Sequence, residues 1–171
     1  MRSGALVWQR TTVITIDVDH LAGSRGVLVS HGDQGGGYSV EVDHDALWFV
    51  HNDGHGTTTR TAGGTLASGR HTVVLTLGGP GGGRWIVSLV VDGEQRFADL
   101  ERPMLWPMAP FTGISIGIDR GSPVDWNRYL DDGPFAYSGG VHSVRYEPGE
   151  LAPDAGARFI EMVKEIGARY E

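Results

Sequence analysis

Residues 26–51, GVLVSHGDQGGGYSVEVDHDALWFVH, read as three short strands in succession. Val27 and Val29, then Tyr38, Val40 and Val42, alternate with small or polar residues. Alternation at period two puts one set of side chains on a core face and the other toward solvent. Between the first two runs, HGDQGGG at 31–37 is dense in glycine and turns without Cβ clashes. Asp43-His44-Asp45 then leads into Ala46, Trp48 and Val50 on one face and Leu47 and Phe49 on the other. A run that is apolar on both faces belongs in the interior of a layered all-β structure.

The rest of the chain extends the same pattern. Ile14, Ile16 and Val18 alternate; so do His71, Val73, Leu75 and Leu77, then Trp85, Val87, Leu89 and Val91. Thr57 to Thr61 form a threonine-rich edge strand, and GGPGGG at 78–83 is expected to break any regular element. Asp92-Gly93 is a strong two-residue hairpin signal. Residues 101–110, ERPMLWPMAP, hold three prolines and read as a crossing loop over the core, carrying Met104, Leu105, Trp106 and Met108. Ile114, Ile116 and Ile118 alternate again, residues 119–138 read as a long loop, and Val141 to Tyr146 as a last strand. A helix follows over roughly 154–170, with Phe159, Met162, Val163, Ile166 and Tyr170 at spacings of three and four. The expected fold is all-β, an antiparallel two-sheet β-sandwich or jelly roll with one C-terminal amphipathic helix. Residues 1–148 form the sandwich; residues 149–171 form a linker and a helix that packs on the sandwich or on a partner.

With 171 residues, one domain with a substantial core is expected. The 27 glycines fall between the alternating runs, where turns are required. A net charge of −7 without a basic stripe argues against nucleic acid. The absence of cysteine rules out disulfides, thiolate metal sites and a cysteine nucleophile. The apolar run Ala5–Trp8 is too short for a signal-peptide core, and no stretch reaches the roughly 18 apolar residues of a membrane span, so a soluble, cytoplasmic chain is expected.

Four stretches, in order over roughly residues 12–146, resemble the C-terminal accessory domain of large bacterial arylsulfatases. They are GVLVSHGDQGGGYSVEVDHDALWF; LASGRHTVVLTL; GGPGGGRWIVSLVVDGEQ; and IGIDRGSPVDW with FAYSGGVHSVRY. The resemblance implies a concanavalin A/laminin-G-like sandwich that is non-catalytic and supports or partners a sulfatase catalytic module. The chain itself lacks the C/S-x-P-x-R motif that supplies the sulfatase nucleophile. Its Ser122-Pro123 has neither the intervening residue nor the arginine. Two other functions are open: a free-standing carbohydrate-binding, lectin-like module, and a carboxylate-dependent glycoside hydrolase.

The candidate sites follow from chemistry. Trp126 and Tyr129 lie in the long polar loop and are the aromatic residues placed for stacking on a sugar, whereas Trp48, Trp85 and Trp106 sit in apolar runs and are expected in the core. Asp119, Asp125, Asp131 and Asp132 in the same loop are the candidates for a Ca²⁺ ion, although their spacing matches no ordered calcium loop and no cofactor is required. Glu41 alternates with core residues and is the carboxylate expected on a concave face. His31, His44, His51 and His55 lie near one another in sequence, in loops whose glycines prevent helical convergence on a metal. The helix stripe offers a surface for a catalytic domain or a second copy.

Overall fold

The computed structural model describes residues 3–105, 113–120 and 122–169. Two five-stranded antiparallel sheets face each other. In chain order the strands are β1 (Arg10–His20), β2 (Gly26–Asp33), β3 (Gly36–Asp43), β4 (Ala46–Asn52), β5 (Thr58–Thr65), β6 (Gly69–Gly81), β7 (Arg84–Val91), β8 (Glu94–Pro103), β9 (Ile114–Ile116) and β10 (Gly140–Leu151). One sheet runs β10-β1-β6-β7-β8 and the other β5-β4-β3-β2-β9. The helices are α1 (Trp126–Asp132) and α2 (Ala155–Arg169).

The core is what the period-two pattern dictates. Ile14, Ile16, Val73, Leu75, Leu77, Trp85, Val87 and Leu89 from one sheet meet Tyr38, Val40, Val42, Leu47 and Phe49 from the other, all fully buried. Tyr38 stands edge-on to Trp85 across the sheets at 5.9 Å, a favoured arrangement of ring quadrupoles. The β7–β8 hairpin turns on Asp92 (φ 52°) and Gly93 (φ 82°), the two positive φ angles of a primed turn. His44 (φ 48°) and Asp45 (φ 71°) make the same kind of turn between β3 and β4.

Several elements depart from expectation. The glycines at 78–81 extend β6 instead of ending it. At Gly79 a Cβ would lie 2.6 Å from the backbone of Arg10, so glycine is what lets β1 run so close. β8 keeps its strand geometry to Pro103, and β10 continues through Pro148 to Leu151, across the boundary expected after residue 148. Both are edge strands, where a missing N–H costs no ladder bond. Residues 119–138 are not all loop, because they contain α1. Trp48 is not core: it is half-buried on the outer face of its sheet, with the Arg60 guanidinium 5.3 Å from its ring centroid. Trp106, Met108 and Tyr170 lie outside the described residues, as does the side chain of Ile166. Among the described residues, no helix is long and apolar enough to cross a membrane.

Candidate functional site

The site is built on the outer face of the β5-β4-β3-β2-β9 sheet. Because β3 sends Tyr38, Val40 and Val42 inward, Ser39, Glu41 and Asp43 point outward. Glu41 pairs in register with Trp48, and Arg60 opposes Val50 one strand further out, so Arg60 reaches diagonally to Glu41.

Residues 117–120 and 122–137 cross this face and close it. Val27 opens a parallel bridge to Ala136, and its N–H donates to the Phe135 carbonyl at 2.9 Å. Val124 and Phe135 are buried against the sheet, and Asn52 Nδ2 donates to the Val124 carbonyl at 3.0 Å. α1 starts at Asp125, whose carboxylate caps it by accepting from the Arg128 N–H at 3.1 Å. Gly133, at φ 66°, ends it.

Beneath α1, one guanidinium nitrogen joins two carboxylates. Arg60 Nη1 donates to Glu41 at 3.1 Å and to Asp125 at 2.7 Å. Ser39 donates its hydroxyl to Glu41 at 2.6 Å. Glu41 is 2% exposed, and this burial pushes its carboxyl above the ordinary value against the pull of Arg60 and Ser39. Arg128 donates to Asp132 at 2.9 Å and also to Asp43, and Arg25 donates to Asp132 as well. Arg128 lies 4.4 Å and Arg25 5.1 Å from the Phe135 ring centroid. Every arginine here is thus bound to at least one carboxylate. An open cleft of about 320 Å³ remains beside α1, lined by Thr58, Arg60, Asp125, Asn127, Arg128 and Asp131.

The two aromatic candidates come together. Trp126 and Tyr129 stack with ring centroids 5.4 Å apart and planes 16° from parallel. Trp126 is 43% exposed, so part of the indole beside Tyr129 reaches solvent. Leu130, 65% exposed, continues this apolar patch. Asn127 and Asp131 of the same helix line the polar cleft, whereas Trp126, Tyr129 and Leu130 do not.

The four acidic candidates separate. Asp119 is buried and accepts from the Val124 N–H at 2.9 Å; burial raises its pKa. Asp125 and Asp132 are occupied by the arginines, and Asp131 lines the cleft. The histidines separate too. His31 is buried beside Tyr38, His51 donates from Nε2 to the Pro103 carbonyl at 2.9 Å, His44 meets Asp43, and the His55 N–H donates to Asp53. Among the described residues no three His, Asp or Glu side chains gather in a way that could hold a metal ion.

Arg25, Arg60 and Arg128 carry much of this site and went unremarked in the sequence. The only signal for them was charge inside otherwise small or polar runs.

No protein-family model matches the sequence, and no curated protein matches it. Among solved structures the chain is similar to domains LG4-5 of the mouse laminin α1 chain, with TM-score 0.53 and 13% identity over 85% of this chain and 40% of that one. It is similar to the CBM40 of the Ruminococcus gnavus IT-sialidase, bound to α2,3-sialyllactose, with TM-score 0.54 and 12% identity over 89% and 83%. It is also similar to the binding domain of botulinum neurotoxin serotype D, with TM-score 0.52 and 11% identity over 94% and 38%. The chain therefore spans well under half the length of the laminin and toxin chains, and most of the CBM40. These likenesses define the class: an antiparallel β-sandwich of the laminin G-like, jelly-roll kind. They lead to no sulfatase.

Proposed function

We propose that the chain is a carbohydrate-binding, lectin-like module that holds its ligand on α1, with the exposed part of the Trp126 indole as platform and Asn127, Asp131 and Arg60 as polar arms. The observation that carries this reading is the stacked Trp126–Tyr129 pair, partly open to solvent, on a helix whose Asn127 and Asp131 line a cleft of hydrogen-bonding side chains. Sugars present apolar C–H faces and a rim of hydroxyls, and such a surface answers both. The shared fold with a sialidase CBM40 bound to sialyllactose supports the class of ligand. The charges argue for an uncharged glycan, since Arg60 and Arg128 are already neutralised by Glu41, Asp125, Asp43 and Asp132.

A glycan array with the intact chain and with Trp126→Ala tests this. Binding that disappears in the variant at unchanged melting temperature supports the proposal. Absence of glycan binding, or full binding by Trp126→Ala, overturns it.

Support of a sulfatase catalytic module rests on the sequence resemblance alone. What favours a protein partner of any kind is α2, which exposes Phe159, Ile160 and Val163 at 50%, 55% and 50%. Co-elution with a catalytic chain carrying C/S-x-P-x-R is the measurement for that reading. The glycosidase reading finds Glu41 closed from solvent under α1.

A further inference from the structure

The β10-β1-β6-β7-β8 sheet has two edges, and they differ. At β8 the edge is tied to the facing sheet, where Arg102 Nη2 donates to Thr61 of β5 at 3.1 Å. At β10 it is open. From Ser143 to Pro148 the pairing of β10 with β1 is unbroken, Ser143 standing against Asp17 and Pro148 against Thr12. A strand turns the N–H and C=O groups of alternate residues to opposite sides. Half of those in this run therefore point away from β1, and among the described residues no backbone hydrogen bond outside the ladder reaches them. β9, which lies beside β10 at the edge of the other sheet, is only three residues long, and its Ile116 is 51% exposed. A Cβ on Gly117, the residue after β9, would lie 4.0 Å from Val141 of β10.

Proteins blunt such edges with bulges, prolines and charges, and β10 has all three. Its ladder shifts at either end of the run, and Pro148 has no N–H. The charges, however, are ordered so that the strand complements a copy of itself. Val144 and Tyr146 pack against the core, and Arg145 and Glu147 point outward with side chains 67% and 54% exposed. Arg145 Nε lies 3.2 Å from Glu147, an exposed pair that adds little to the lone chain. Antiparallel pairing of two copies centred on Tyr146 sets Arg145 opposite the partner's Glu147, and Glu147 opposite the partner's Arg145. The four charges then alternate in sign along and across the strands. Residues brought opposite one another are separated by an even number of positions in the chain, so outward-pointing backbone groups meet their like and the side chains share a face. Centring on Arg145 would set arginine against arginine, and centring on Glu147 glutamate against glutamate, both destabilising.

We propose that β10 is a homodimer interface, at which two chains join edge to edge about a twofold axis at Tyr146 and merge two five-stranded sheets into one. The occupant is a second copy because the charge pattern is its own complement in that register. The interface does not involve α1 and does not depend on the glycan reading.

Sedimentation velocity of the full chain over a range of concentrations reads the association, and a monomer–dimer equilibrium is expected. R145E places a carboxylate opposite the partner's Glu147, and E147R places a guanidinium opposite the partner's Arg145. Each variant alone should raise the dimer dissociation constant about tenfold or more. Mixed together, the two single variants are complementary across the axis and should form a heterodimer, and R145E/E147R should dimerise by itself. Both positions are exposed, so all three variants should melt close to the parent. A chain that stays monomeric at every concentration, a dimer indifferent to either single variant, or single variants that fail to pair when mixed would overturn the proposal.

Discussion

Arg60, on the edge strand β5, donates at 2.7 Å to Asp125, the residue that caps α1. With the bond from Arg128 of α1 to Asp43 of β3, it fastens the helix to the sheet below it. Asp125→Ala removes the cap and strands Arg60 and Glu41 with one carboxylate fewer. The loss should be roughly 3 kcal/mol, combining a cap of about 1 kcal/mol with a broken, largely buried ion pair. Asn is as good a cap as Asp, so Asp125→Asn should lose clearly less. Urea unfolding of both variants measures the difference, and equal losses would mean that the cap contributes nothing.

The platform predicts a specificity. Truncating an aromatic anchor at a binding surface costs roughly 2 kcal/mol or more, over tenfold in affinity. Trp126→Ala should show that loss, whereas Tyr129→Phe, which keeps the ring, should bind within about threefold of the parent. Because the arginines are neutralised in place, lactose should bind at least as well as α2,3-sialyllactose in calorimetric titrations. A marked preference for the sialylated sugar would mean that Arg60 or Arg128 leaves its carboxylates for the ligand.

The sandwich was legible because its core is written at period two in β1, β3, β6 and β7, and because Asp92-Gly93 has the chemistry its turn needs. The site was only half legible. Trp126 and Tyr129 stood out as aromatics in a polar loop, but the helix that stacks them is seven residues long and faces its apolar side chains outward, so it has no amphipathic signature. Trp48 reads as core in any apolar run; only Arg60 arriving from the neighbouring strand shows why it sits outside. The His20 Nδ1 contact with the Tyr137 hydroxyl at 2.9 Å, with Asp45 2.8 Å from Nε2, joins residues 117 positions apart, beyond any local pattern.

Two buried histidines set the response to acid. Burial lowers His31 and His51 from the ordinary 6.5 to about 4. Above pH 6.5 both are neutral in the folded and unfolded chains and contribute no slope. Below it the unfolded chain takes up protons that the folded chain refuses, so stability falls as pH drops from about 6.5 to about 4, by roughly 3 kcal/mol for each. His71 works in the opposite sense. Partial burial lowers it, but the bond to Asp92 more than compensates, so its small contribution fades as pH rises. His31→Phe removes an unpartnered Nε2 and keeps a ring edge-on to Tyr38 and Tyr146. It should be near neutral at pH 7 and flatten the acid slope by about half in melting curves taken across that range.

Gly26 decides whether the site is assembled at all. It sits at φ +129°, and a Cβ there would lie 2.3 Å from the backbone of Tyr137. The neighbouring Val27–Phe135 bond helps dock the residues that follow α1 on the sheet. Gly26→Ala must push residues 135–137 away, freeing Phe135 from beneath Arg128 and Tyr137 from His20. The expected loss is at least roughly 3 kcal/mol, because the clash is with backbone rather than with a side chain that could turn aside. Gly23→Ala is the control: its φ of +76° lies in the left-handed region, which a side chain adopts at less cost than φ +129°, and nothing lies within 4 Å of the added methyl. It should lose only about 1 kcal/mol. If the two variants melt together, close approach at Gly26 is not what holds α1 over the sheet, and the segment is anchored by its arginines alone.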